Sequence, residues 1–105
     1  MKERELFKKV SQLVESGDFE KALKIIDNHI EKESKNPELY LEKGKLLKHL
    51  QRFTEAINCF QKVLSLKPNY HEALNLRNMA QDILRFQQID IYASTNLTND
   101  PWLDD

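Results

Sequence analysis

The chain has 105 residues, of which 40% are hydrophobic and 31% charged, a composition that is typical of a folded globular protein and excludes wholesale disorder. The length allows one domain with a modest core, and a net charge of −1 provides no general attraction to nucleic acid or anionic lipid. With two glycines, three prolines and no alternating β-branched run, the sequence predicts an all-α protein.

The cellular location is predicted from the cysteine content and the first residues. The single cysteine, Cys59, cannot form an internal disulfide, so nothing indicates an oxidising compartment. The first ten residues lack the apolar core of a signal peptide, and no apolar run approaches the roughly 18 residues that a membrane span needs. We therefore expect a cytoplasmic protein.

The first third of the chain has the spacing of two amphipathic helices. Apolar residues recur every three to four positions within residues 2–16 and again within residues 19–33. Gly17 allows a tight turn between the two helices, and Asp18 is a suitable N-cap for the second. The apolar faces comprise Leu6, Val10, Leu13 and Val14, followed by Phe19, Ala22, Leu23, Ile26 and Ile30.

A second pair of helices is predicted at residues 37–50 and 53–66. Asn36 is a suitable N-cap for the first of them, and Pro37 fits its first position, where a missing N–H costs no hydrogen bond. Pro68 ends the second helix because proline cannot continue it.

The turn inside this second pair is poor in turn-forming residues. Gln51 and Arg52 stand where Gly17 and Asp18 stand in the first pair. Since neither residue favours a left-handed backbone or caps a helix with a carboxylate, we expect a looser turn here. The alternative is that Thr54 caps the following helix one turn later.

A fifth helix is predicted from about Tyr70 to Ile89 or Tyr92. Asn69 and Glu72, three residues apart, have the spacing of a capping box at its start. This helix has no mate, because the helical pattern fails soon after it.

The helical domain is thus predicted to span residues 1–92, followed by an irregular tail at residues 93–105. Residues 37–70 carry a net charge of +3 and residues 71–105 a net charge of −4, so the two regions attract each other. We hypothesise that the tail docks on the last helix or in a basic groove of the same or a neighbouring molecule; the alternative is a disordered end. Its apolar residues are Leu97, Trp102 and Leu103, and its acidic residues are Asp100, Asp104 and Asp105.

Residues 37–70 form one complete unit with small and aromatic residues where two packed helices need them. Gly44 and Ala56 are small enough for the two helices to approach each other closely there. Residues 3–36 repeat the same spacing in degraded form, and residues 71–92 repeat its first half. The diagnostic residues of the unit are Tyr40, Gly44, Phe53, Ala56, Phe60 and Pro68.

This pattern resembles the tetratricopeptide repeat (TPR), a helix-turn-helix unit whose length equals that of residues 37–70. The resemblance implies two repeats and a capping helix, wound into a right-handed superhelix whose first helices line a concave groove. It also implies a non-enzymatic module that binds a protein or peptide partner.

The resemblance further implies which residues face the groove. Lys45 and Lys48 would form its basic centre, although both can also be read as ordinary solvated surface charges. Some TPR domains clamp the terminal carboxylate of a chaperone, but here Glu42 and Glu72 occupy clamp positions and would repel one. The groove candidates are Phe7, Ser11, Leu41, Lys45, Lys48, His49, Asn75 and Met79.

Other classes of function have little support in the sequence. No two of the histidines and Cys59 have the close helical spacing of a zinc site, and there is no phosphate-binding glycine loop or catalytic triad motif. We therefore expect no metal, no cofactor, no nucleic acid and no membrane among its ligands. The alternatives that stay open are a self-assembly element, for example a homodimer completed by the third unit and the tail, and a small enzyme or RNA binder.

Overall fold

The computed structural model describes the backbone of residues 3–96 and the side chains of residues 3–87. Within that range the chain is all-α, as predicted, and contains no strand. The helices are α1 (Glu3–Glu15), α2 (Phe19–Lys32), α3 (Pro37–His49), α4 (Phe53–Leu66) and α5 (His71–Asn96).

The helices recur with a constant period. We call the distance along the sequence from Glu3 to Pro37 one repeat step. Adding one repeat step to the first and last residues of α1 and α2 gives the first and last residues of α3 and α4. The same step from Pro37 leads to His71, the start of α5. Residues 3–96 are therefore built of two equivalent helix pairs and one further helix. Each helix packs against the next one along the chain, which is the arrangement of a solenoid.

One main apolar core joins α1 to α4 and the start of α5. A smaller cluster of Phe53 and Ile57 on α4 with Ala80, Ile83 and Leu84 on α5 holds the middle of the last helix. The side chains of the main core that are fully buried include Leu6, Ala22, Ile26, Leu39, Leu47, Ala56, Phe60, Val63 and Ala73.

The closest contact at Gly44 is made by Phe60, a partner that the sequence did not predict for it. A Cβ added to Gly44 would lie 2.8 Å from Cδ1 and 2.9 Å from Cζ of the Phe60 ring. Ala56, the other small residue of this helix pair, is fully buried. The absence of a side chain on α3 is thus what allows the aromatic ring of α4 to lie against its backbone.

We expect Gly44→Ala to lower the free energy of unfolding by about 1–3 kcal/mol, because the methyl group overpacks the contact with the fully buried Phe60. Urea denaturation measures this loss. Combining it with Phe60→Leu should cost less than the sum of the two single changes, since the smaller side chain makes room. Strictly additive losses would show that the two positions do not touch.

The two turns between paired helices have the same hydrogen bonds. The N–H groups of Gly17 and Asp18 donate to Val14 and Leu13, and one repeat step later Gln51 and Arg52 donate to the corresponding carbonyls of Lys48 and Leu47. These are the two bonds of a Schellman motif. The looser second turn predicted from the sequence is therefore wrong.

The second turn keeps this geometry at the expense of backbone strain. Gln51 adopts a φ of 60°, close to the 83° of Gly17, although a glutamine disfavours the left-handed region. No side chain caps α4, so Thr54 does not take that role either. Arg52 instead pairs with Glu55, with 2.7 Å between Nη2 and Oε2.

Exchanging the two turn residues tests this strain. Gln51→Gly should raise the free energy of unfolding by up to about 1 kcal/mol, and the matched Gly17→Gln should lower it by about the same amount. A Cβ at Gly17 meets nothing within 4 Å, so the backbone alone accounts for the second effect. Thermal melting of both variants checks the signs, and equal signs would contradict the assignment.

The last helix differs from its prediction at both ends. It begins at His71, so Tyr70 and not Asn69 precedes it, and the predicted capping box is not formed. It continues to Asn96, so the irregular tail predicted from residue 93 is wrong for residues 93–96. The docking candidates of the tail, Leu97, Trp102 and Leu103, lie outside the residues that the structure describes.

The outer face of α5 is suited to end the stack. Asn78 occupies the position equivalent to Gly44, so a following helix could not bring an aromatic ring against the backbone as Phe60 does. Asn78 is exposed, and Arg77 and Gln81 beside it are also polar. A polar outer face is what the terminal helix of a solenoid requires.

Candidate functional site

The first helices of the three units, α1, α3 and α5, contribute to one side of the stack, which we call the inner face. Between α1 and α3 lies an open groove of about 290 Å³. It brings together three residues of the predicted set, Ser11, Lys45 and His49. The full lining is Val10, Ser11, Val14, Glu15, Glu42, Lys45, Leu46 and His49.

Lys45 is not a free cation at the centre of this face. Its Nζ lies 2.8 Å from Oε2 of Glu72 on α5 and 3.6 Å from Oε1 of Glu42 on α3. Burial lowers the pKa of Lys45, but the bonds and charges of the two glutamates outweigh that effect and raise it. Lys45 therefore connects α3 to α5, and sequence spacing alone could not reveal this partner on another helix.

Lys48, one turn further along α3, has a different environment. Its Nζ lies 3.8 Å from the Sδ atom of Met79 on α5. Within residues 3–87, no carboxylate lies within 4 Å of this ammonium group. Met79 is 49% exposed, so an unpaired cation and an accessible apolar side chain lie next to each other.

His49 ends α3 and is held by an aromatic contact. Its ring stacks on that of Phe19, with 5.6 Å between the centroids and 18° between the planes. Phe19 is the first residue of α2, so this contact also ties the two helix pairs together. The imidazole stays exposed and lines one end of the groove.

The other predicted groove residues divide into accessible and inaccessible ones. Asn75 on α5 is exposed, and Phe7 on α1 is half-buried against the core. Leu41 is 2% exposed and belongs to the core, so the structure corrects its assignment to the binding surface. Its apolar character serves packing of α3 and not contact with a ligand.

A second polar contact on the inner face was not predicted. The Tyr70 hydroxyl donates a 2.8 Å hydrogen bond to Oε2 of Glu38 at the start of α3. Burial, followed by the hydrogen bond and the charge of Glu38, raises the pKa of Tyr70 to about 12. An ion pair, Lys45–Glu72, and a hydrogen bond, Tyr70–Glu38, thus connect the beginning of the last unit to α3.

The raised pKa of Tyr70 has a consequence at high pH. Because the folded state holds the phenol proton more tightly than the unfolded state, this group's contribution to stability is complete below pH 10 and is lost as the pH rises towards about 12. Subtracting the tyrosinate absorbance titration of Tyr70→Phe from that of the native protein should isolate a transition near pH 12. A transition near pH 10 would mean that the Glu38 contact does not form in solution.

The comparison with known families bears on the α3–α4 pair. Residues 37–70 match the family described as tetratricopeptide repeat. Residues 37–70 are therefore a tetratricopeptide repeat. The first pair of helices, α1 and α2, has the same bounds one repeat step earlier.

Among solved structures, the same helical fold is found in one described as "MamA RS-1 ArsTM double mutant". The TM-score is 0.70 and the sequence identity 24%, over 84% of this chain and 48% of the other. The chain thus spans about half the length of that structure, and the likeness concerns the fold. No curated protein matches the sequence.

Two further properties concern the part of the chain that the structure describes. Within it, no helix is long and apolar enough to cross a membrane, and no three His, Cys, Asp or Glu residues are placed to hold a metal ion. Burial raises the pKa of Cys59 to about 11, so at neutral pH the residue is a thiol and a poor nucleophile.

Proposed function

We propose that this protein is a non-enzymatic interaction module that binds a peptide segment of a partner protein on the inner face of α1, α3 and α5. TPR repeats in general mediate protein–protein interaction. The observation that supports this site most directly is Lys48 beside the half-exposed Met79, since no carboxylate of the described residues lies within 4 Å of this lysine. An unpaired cation and an accessible apolar group favour a ligand, whereas paired charges do not.

The chemistry of the inner face favours a particular type of segment. Lys48 suits a carboxylate, and Met79 beside it suits an apolar side chain. Val14 offers a further apolar contact in the groove between α1 and α3. Methionine adapts its shape to different apolar partners, so the site fits a class of segments and not one rigid ligand. We therefore propose an acidic and apolar peptide as the occupant.

A selection of short random peptides displayed on phage would test this site. Peptides selected on the native protein should contain a carboxylate near an apolar residue, and Lys48→Glu should weaken their binding about tenfold and reduce its salt dependence.

The matched control is Lys62→Glu, a charge reversal of equal size on α4. The native Lys62 lies over the ring of Tyr40 on α3. Reversing Lys45 is less informative, because it would also place a negative charge beside Glu72. If the selected peptides bind the Lys48→Glu variant as well as the control, the inner face is not the site.

Self-assembly is the second candidate, and the exposed apolar part of α5 favours it. Phe86 is 68% exposed and lies two turns after Met79, along the same face of the helix. Sedimentation equilibrium separates the candidates, because only self-assembly makes the mass depend on concentration. The absence of enzymatic activity and of nucleic-acid binding, and the cytoplasmic location, stay predictions.

A further inference from the structure

A second surface of the protein combines positive charge with an apolar floor. On the open side of α1 and α2 lies a depression of about 420 Å³ whose floor is formed by the half-buried Leu13 and Ile25. It shares no residue with the groove between α1 and α3. We call it the end face, and its residues are Lys9, Leu13, Lys21, Lys24, Ile25 and Asn28.

The three lysines of the end face are uncompensated. In the described part of the chain, no carboxylate lies within 4 Å of Lys9, Lys21 or Lys24. By contrast, Lys43 and Lys45 each have a carboxylate oxygen at 2.8 Å. The end face is therefore a place where positive charge is concentrated without an internal partner.

The second repeat shows what covers the equivalent surface there. One repeat step along the sequence, Lys43 is equivalent to Lys9 and Leu47 is equivalent to Leu13. Lys43 bonds to Asp27 of α2, with 2.8 Å between Nζ and Oδ1, and Leu47 is fully buried. In the second repeat, therefore, a helix from the preceding unit supplies a carboxylate to the lysine at the edge of a covered apolar surface.

At the other edge of the apolar floor, too, the residue of the second repeat is more deeply buried than its equivalent in the first. Ile25, which is half-buried, corresponds to Cys59, which is only 8% exposed. Asp27 is close enough to Cys59 to contribute, after burial, to the raised pKa of its thiol. The charge of Asp27 on the covering helix thus acts at both edges of the surface, on Lys43 and on Cys59.

The end face is also more basic than its internal counterpart. Lys21 and Lys24 stand where the second repeat has Glu55 and Asn58. The end face thus carries three lysines and no acidic residue, a net charge of +3, whereas the equivalent positions carry Lys43, Lys62 and Glu55, a net charge of +1. Charge complementarity requires a more acidic helix than α2.

We propose that the end face binds an amphipathic helix of a partner protein, which presents a carboxylate to Lys9 as Asp27 does to Lys43, apolar side chains to Leu13 and Ile25, and further carboxylates to Lys21 and Lys24. This surface is separate from the peptide site on the inner face. The protein then has two binding surfaces, one along its concave side and one at the end of the stack.

A synthetic helix derived from α2 is a defined probe for this proposal. The peptide copies residues 18–33 unchanged, so it keeps Asp27 and Glu20, the two carboxylates of α2 that face the second repeat, and it is blocked at both ends. Titrated into the intact protein, it should shift the amide NMR signals of Lys9, Leu13 and Ile25. Lys9→Glu should weaken the binding about tenfold, and the same peptide with Asp27→Lys should restore it by charge exchange.

The matched control is Lys48→Glu, which alters the inner face and should leave this titration unchanged. Circular dichroism verifies that both variants stay folded. Absence of shifts at the end face, shifts at Lys48 and Met79 instead, or equal binding by Lys9→Glu would overturn the proposal. Shifts of the end-face signals with protein concentration alone, lost in Lys9→Glu, would overturn it in favour of a second copy of the chain as the occupant.

Discussion

The contact between Gly44 and Phe60 determines how the other parts of the molecule are placed. Phe60 is fully buried, and its ring lies where any side chain at position 44 would stand. This fixes the separation of α3 and α4, the two helices at the centre of the stack. The last helix, α5, packs against α4 and forms an ion pair with α3. Its position therefore depends on this close approach of α3 and α4.

The period of the sequence allowed most of the fold to be predicted. Small and aromatic residues spaced by helical turns located α1 to α4 to within one residue at each end, because packing of two helices restricts the residue type at each contact. The exception inside this region is Gln51. Local preference predicted a loose turn there, but the helices on both sides are packed so firmly that the residue adopts the same backbone as Gly17.

The candidate site was less accessible to prediction. Repeat spacing identified which positions face inwards, but not which charges find a partner, since Lys45 and Glu72 lie on different helices and meet only through the stagger of the stack. Leu41 shows the opposite failure. An apolar residue on an inward position can serve the core or a ligand, and only the packed structure distinguishes these two roles.

The two attachments of α5 differ in physical character, and they therefore respond differently to salt. On one side the helix is held to α4 by apolar contacts of Phe53, Ile57 and Ala80, which salt does not weaken. On the other side the partly exposed pair Lys45–Glu72 ties it to α3, and dissolved ions screen that pair. The apolar attachment is thus independent of ionic strength, whereas the polar attachment depends on it. Rising ionic strength therefore weakens the polar attachment of α5 to α3 and leaves its apolar attachment to α4 in place.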